Sequence, residues 1–468
     1  MVIILPKEEN NKPYYFQIYR AIREDIENGL IRPDEKLPSK RKLAQDLKVS
    51  QTTVETAYGQ LKAEGYIYAK NRSGYYAEEL PPALKREAVR EKIPAPPRET
   101  TEDWLYNFQT GSVNTAHFPF SVWARLTRET LSEDKEKLLT VTPPKGLYEL
   151  RQEICRFLRR SRGIEADPEQ VIVGAGWEYL FGLIIQLLGR DKTYGIEEPG
   201  YPKAPLILSK AGVSWESLAV DNDGVSIDAL AESLVRVLHV TPSHHFPLGI
   251  VTSAPRRRQL LAWAEAGGYI IEDDYDSEFR LQGRPIPSIY GMDRGERVIY
   301  IKTLARTLAP SLRMAYMVLP RKLLEQYDKE LYFYTSTISR IEQHVLTRFI
   351  AGGYFERHLN RMRNIYRKNR RVFLEVIKES PLARELKVFR DDGGAHLLLQ
   401  ARSLDQATLI NSAAAKGIKI TGISAYYQKK VPPQYRNTVV AGVAGFSEGE
   451  LEVAAKALLS AWEDEIRL

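Results

Sequence analysis

Residues 37–76 read LPSKRKLAQDLKVSQTTVETAYGQLKAEGYIYAKNRSGYY. Ser39 follows Pro38 and is a good N-cap, and Leu43, Ala44 and Leu47 fall on one face of the helix it opens. Val49 and Ser50 fall in a tight turn. From Gln51 the helical spacing returns with Val54, Ala57, Tyr58 and Leu61, and Gly65 ends it. YIYAK and GYYAE then flank Asn71, Arg72, Ser73 and Gly74, which is a hairpin pattern. Upstream, residues 14–28 (YYFQIYRAIREDIEN) place Phe16, Tyr19, Ile22 and Ile26 at helical spacing, ended by Gly29. The expected order is helix, helix, turn, helix, β-hairpin.

Two helices joined by a tight turn form helix-turn-helix geometry, in which the second helix offers its first residues to the major groove. Those residues are Gln51, Thr52 and Thr53. Glutamine pairs bidentately with adenine, and threonine donates, accepts or touches a thymine methyl. Lys36, Lys40, Arg41 and Lys42 lie just upstream, placed to meet phosphates. The blander reading is a three-helix packing module with a solvated basic face. The landmarks from Leu37, Pro38 and Ser39 through Arg41, Val49, Ser50, Thr53, Tyr58 and Gly65 to Ser73 and Gly74 closely resemble the winged helix-turn-helix of GntR-type bacterial regulators. The match runs over residues 12–78. It implies that Arg41, Thr52, Thr53 and the wing residue Gly74 contact DNA, with Lys40 and Gln51 beside them. The family usually carries arginine directly after Val-Ser, where this chain has Gln51.

Composition is compatible with that reading. The chain has 468 residues, 43% hydrophobic and 27% charged, which is ordinary for globular domains and predicts two to four of them. Lys and Arg number 67 against 60 Asp and Glu, a formal charge of +7. This excess permits nucleic-acid binding without demanding it. The single cysteine, Cys155, excludes an internal disulfide and a Cys-rich zinc site, so no metal is expected and a reducing cytoplasm fits best. No window approaches a membrane span, and the N-terminus does not read as a secretory signal. Residues 78–103 (EELPPALKREAVREKIPAPPRETTED) hold five prolines and lack apolar periodicity. They read as a semi-rigid linker. The expected division is a winged helix over 1–78, a linker over 79–103 and a large domain over 104–468.

The large domain alternates helical patterns such as 147–163 with strand-like runs at 171–176, 193–198, 238–243, 269–274, 298–303 and 314–320. That predicts a mostly parallel sheet covered on both faces. The long basic segment after residue 350, with GGAHLLLQA (393–401) and TVVAGVAGF (438–446), predicts a smaller C-terminal α+β subdomain.

Three fragments carry chemistry. IIEDDY (270–275) is an apolar strand ending in carboxylates, where such sheets bind ligands. A carboxylate there can hold a ring nitrogen protonated; acids capping a loop are the equal alternative. Gly174, Ala175 and Gly176 can offer backbone N–H groups to a phosphate, though short glycine loops are common. Arg313 can clamp a phosphate or form a surface salt bridge. In this order, with EEPGYP, HVTPSHHFPLGIV, APRRRQLLAWA and LAPSLRMAYMVLP, the fragments resemble fold-type I aminotransferases. They are most similar to the aminotransferase-like domain of MocR/GabR regulators, which fuse it to a GntR-type winged helix. The resemblance covers residues 104–465. It implies pyridoxal 5'-phosphate as cofactor. Asp273 would face the pyridine nitrogen, Tyr275 the ring hydroxyl and Tyr201 the ring face, with Gly176 and its neighbours and Arg313 at the phosphate.

This chain departs from the pattern at the lysine. The family strand usually ends Gly-Thr-Phe-Ser-Lys-Ser-Leu; here residues 302–310 read KTLARTLAP, and aligning Leu308, Ala309 and Pro310 puts Arg306 in the lysine position. A guanidinium stays protonated and cannot form the usual Schiff base, so covalent attachment is not expected and no residue is assigned a catalytic role. Lys302 is expected to point elsewhere. Trp177 stands where a small hydroxyl residue is usual, Lys203 where related regulators carry arginine, and Phe246 where aminotransferases have asparagine. The reading is a DNA-binding transcription regulator with promoter DNA, a small-molecule effector and a domain-swapped homodimer as partners. The alternative is a working aminotransferase with a DNA-binding appendage, and Arg306 argues against it.

Overall fold

The computed structural model describes residues 13–71, 73–80, 104–133, 135–279, 286–389 and 394–467. The proline-rich stretch from 81 to 103 lies outside them. The chain divides into two compact units, one within residues 1–101 and the other within 102–468.

The smaller unit has the expected order: helices Tyr14–Glu27, Lys40–Leu47 and Gln51–Ala63, then the antiparallel strands Ile67–Lys70 and Gly74–Ala77. Both short helices start at a serine. Ser39 Oγ accepts from Lys42 N at 3.2 Å and Ser50 Oγ from Thr53 N at 3.1 Å, each satisfying one of the donors a helix start leaves open. Between them Lys48 adopts a left-handed conformation, φ 55°, which makes the turn tight. Ile18, Ile22, Val54, Tyr58 and Leu61 are buried together. Tyr58 also donates its hydroxyl to Pro38 O at 2.9 Å, tying the third helix to the start of the second.

The larger unit is built on an eight-stranded sheet. Strands Val298–Thr303, Tyr269–Asp273, Val235–Val240, Thr193–Glu198 and Trp215–Asp221 run parallel to their neighbours in that order. Ala315–Val318 pairs antiparallel between Val298–Thr303 and Val171–Gly174, and the short Gly224–Val225 closes the far edge antiparallel. The inner strands are mostly buried and carry long apolar side chains, with buried polar groups such as Glu197, His239, Glu272, Asp273 and Lys302 near their carboxyl ends. Two sequence expectations are corrected here. The strand expected at 238–243 runs 235–240, with exposed Arg236 interrupting its apolar pattern and Thr241 already in the turn. Trp215–Asp221 was not anticipated: its charged ends and partly exposed side chains hide a strand near the sheet edge.

The C-terminal subdomain is a four-stranded antiparallel sheet in the order Leu386–Phe389, His396–Ala401, Thr438–Gly442, Thr421–Gly422. Helices Tyr354–Glu379, Gln406–Ala415 and Glu448–Arg467 pack with it. Trp462 is fully buried there and donates its indole N–H to Leu409 O at 2.9 Å.

Removing the cap of the third helix tests this account of the smaller unit. Ser50→Ala should lower that unit's stability by about 1 kcal/mol in urea denaturation followed by circular dichroism. An unchanged midpoint would show that the cap does not hold the helix.

Candidate functional site

In the smaller unit the start of the third helix is open to solvent. Gln51 and Thr52 are exposed, as are Arg41 and Lys42 on the second helix. Thr53 is half-buried, its hydroxyl 2.8 Å from Ser50 Oγ, so it serves the cap. Lys40 is paired with Glu55 and lies 5.8 Å from the Tyr75 ring. Gly74 opens the second wing strand at φ 117°, and a Cβ there would meet Lys36 Cε at 3.4 Å. Sequence reasoning missed Lys70, which sits on the wing 4.6 Å from the Tyr76 ring. Its position at a strand end beside the hairpin turn was the available signal.

The larger unit carries a cleft of about 510 Å³ at the carboxyl ends of its parallel strands. Gly176, Trp177, Tyr201, Asp273, Tyr275, Arg306 and Arg313 all line it, so every cofactor-site residue singled out in this half of the sequence is brought to one place. Lys302 is elsewhere. It is buried and paired with Asp274 and Glu278.

Asp273 ends its strand inside the cleft. One carboxylate oxygen lies 3.2 Å from His239 Nε2, and the other is buried without a hydrogen-bond partner. Above it the walls are aromatic. Trp177 stacks on Phe181 at 4.4 Å and meets Tyr201 edge-on at 5.1 Å, leaving its indole N–H buried and unpartnered. Tyr275 is buried, which raises its phenol pKa well above the ordinary value, and its hydroxyl lies 3.0 Å from His244 Nδ1. Arg306 lies 5.0 Å from the Tyr275 ring centre and 5.9 Å from that of Phe246, with Nη1 buried and unbonded.

The end expected to hold phosphate is already satisfied by the chain. Ala175 N donates to Thr337 Oγ1 at 2.8 Å and Gly176 N to Gly174 O at 2.9 Å. Glu178, in the first turn of helix Trp177–Leu188, accepts from Lys203 Nζ at 2.6 Å and from Arg313 Nη2 at 2.7 Å. Partial burial works against its charge, but the bonds from Lys203, its own amide and Arg313 prevail and hold its carboxyl down at about 2. A ring with a protonated nitrogen therefore fits the Asp273 end. A phosphate and a covalent aldehyde link do not fit the residues at the other two ends.

Sequence reasoning missed Glu178, His239, His244, Glu197 and Thr241. The signals were slight: an acid two residues after the loop glycine, and histidines breaking apolar runs. Glu197 is buried near Asp273, and its Oε2 accepts from Thr241 N at 2.9 Å. Burial pushes its carboxyl up to about 7, against the Thr241 bonds and His239.

Two family models match the chain. "Bacterial regulatory proteins, gntR family" covers residues 14–76, and "Aminotransferase class I and II" covers residues 105–458. The helix-turn-helix transcriptional regulator YdeL of Bacillus subtilis is 38% identical over 96% of this chain and 97% of its own. The probable rhizopine catabolism regulatory protein MocR of Rhizobium meliloti is 34% identical over 96% and 94%. An archaeal alanine:glyoxylate aminotransferase shares the fold with a TM-score of 0.69 at 22% identity, over 77% of this chain and 91% of that one.

The raised Glu197 carboxyl has a consequence for stability. The folded chain keeps this proton where the unfolded chain has lost it, so stability falls as pH rises from about 4.5 to 7. Glu197→Gln, which still accepts from Thr241, should flatten that slope by roughly 2–3 kcal/mol in urea denaturation across the window. An equally steep slope in the variant would show that another group titrates there.

Proposed function

The chain belongs to the MocR-type family of helix-turn-helix transcriptional regulators, and from that membership we propose how this member works. It is a DNA-binding regulator: a gntR-family helix-turn-helix region followed by a domain with the aminotransferase fold. In this proposal residues 1–78 bind promoter DNA, residues 79–103 tether, and residues 104–468 dimerise and hold a small effector. Arg41 and Lys40 meet the phosphate backbone, Gln51 and Thr52 face base edges while Thr53, expected beside them, holds the helix start, and Gly74 lets the wing approach the duplex closely.

The observation that carries the ligand reading is the cleft itself. It buries an acceptor on Asp273 and a donor on Arg306, neither of which has a hydrogen-bond partner among the described residues. Unmet buried groups of this kind are costly and call for a ligand that supplies their partners. That ligand is pyridoxal-like or amino-acid-like and is held non-covalently between Tyr201, Asp273, Tyr275 and Arg306. Transaminase chemistry is disfavoured because Arg306 cannot supply the amine and Lys302 is committed to Asp274 and Glu278.

A homodimer is supported by apolar side chains left open along one segment: Phe120, Leu131, Leu139, Val141 and Tyr148 are exposed, Leu139 to 85%. Large exposed apolar side chains of this kind are available to an associating surface.

Two measurements test this reading. Arg41→Ala should weaken binding of a promoter fragment by about tenfold in fluorescence anisotropy and make its salt dependence shallower. Unchanged affinity and slope would remove Arg41 from the interface. Light scattering at micromolar concentration should return twice the chain mass, and a monomer would contradict the dimer.

A further inference from the structure

The cleft's charges are unevenly distributed. Arg313 and Lys203 stand at one end, but both are spent on Glu178. The Arg313 guanidinium also folds against the bare backbone of Gly176, where a Cβ would come within 2.7 Å of it. The amides of Ala175 and Gly176 are bonded within the chain. An arriving phosphate would find each of these donors already facing an oxygen. Arg306 lines the same cleft and has no ion pair or hydrogen bond among the described residues, its Nη1 buried. Asp273 and Trp177 line it too, each only 5% exposed and each with one buried polar atom that has no partner among the described residues.

We propose that Glu178 is a built-in anion standing in for a phosphate, and that the cleft takes a planar nitrogen heterocycle bearing a carboxylate and no phosphate. The ring N–H bonds Asp273 Oδ1, and the carboxylate bonds Arg306. The physical reasons are local. An arginine at this position cannot trap an aldehyde, but its planar fork matches a carboxylate with two parallel hydrogen bonds. A buried carboxylate oxygen without a donor favours a ligand that brings an N–H or a positive charge. The cluster of Lys203, Arg313 and Glu178 already satisfies its donors, so a phosphate has to displace the Glu178 carboxylate from both cations before it gains their bonds. Adding a phosphate to the ligand therefore gains little while Glu178 keeps its charge and its place. The specificity rests on the ligand-binding reading given above, and independently of whether the chain regulates transcription.

Three probes separate the two ends of the cleft: pyridoxine, pyridoxate (a carboxylate in place of one hydroxymethyl group) and pyridoxine phosphate (a phosphate ester on the other). None carries an aldehyde, so none can react with a lysine. Titration calorimetry on the full chain should show pyridoxate binding about tenfold or more tighter than pyridoxine, and pyridoxine phosphate binding no tighter than pyridoxine. Arg306→Gln should erase the pyridoxate advantage. Glu178→Gln should raise pyridoxine phosphate affinity about tenfold and leave the ratio of pyridoxate to pyridoxine unchanged. The proposal is overturned if pyridoxine phosphate is the tightest ligand of the unaltered chain, if that chain binds no pyridoxate, or if Glu178→Gln brings no gain for the phosphate ester. Promoter binding by the same preparations is read separately: its loss with these ratios intact would count against the regulator, not against Glu178.

Discussion

Asp273 ends a largely buried strand with one oxygen beside His239 and the other without a hydrogen-bond partner among the described residues. The cleft is arranged around that unmet acceptor. The parallel sheet places it, because the carboxyl ends of adjacent strands and the loops that follow them converge on one edge. Thr241 and Phe246 follow one neighbouring strand and Arg306 follows the other. Burial does the rest. An unpaired carboxylate oxygen in water would be unremarked, whereas the same oxygen under Trp177 and Tyr201 calls for a specific partner.

The opposite end of the cleft is closed by the chain's own charges. Glu178 draws Lys203 and Arg313 together, and its carboxyl stays ionised because they are there. One fold thus holds two kinds of polar group within a single cavity: a cluster whose charges are paired, and groups with buried polar atoms that have no partner among the described residues. In the smaller unit satisfied and unsatisfied groups are likewise divided. The serine caps and the Tyr58 hydroxyl are consumed in holding the third helix in place, leaving Gln51, Thr52 and Arg41 open. Rigid support beneath free polar side chains suits a surface that has to read a fixed pattern of donors and acceptors.

Much of this was legible in the residues. Ser39 marked its helix because capping is a local interaction between residues a few positions apart, whereas Ser50, read as part of a turn, caps the next helix. Most buried strands announced themselves by apolar runs; Val235–Val240 was displaced because Arg236 breaks its run, and Trp215–Asp221 was missed because a strand near the edge keeps charged and partly exposed side chains. Asp273 and Arg313 stood out as a carboxylate ending an apolar strand and a cation after a loop, while Tyr275 and Arg306 were singled out by the resemblance to aminotransferases. Glu178 could not be singled out. Its role comes from Lys203, 25 residues away, and Arg313, 135 residues away, which only the folded sheet brings to it. His239 and Glu197 were hidden for the same reason: a polar residue within an apolar run shows that something is paired there, but not with what.

The central claim is that an aminotransferase fold here serves a regulator without forming a covalent bond to its ligand. The absorbance spectrum of the purified chain, recorded with and without added pyridoxal phosphate and followed by borohydride treatment and peptide mapping, tests it most directly. The account predicts a colourless protein, no new band beyond that of the free aldehyde, and no reduced adduct in the cleft. A yellow protein with a borohydride-fixed adduct on Lys302, or on any other lysine, would contradict it.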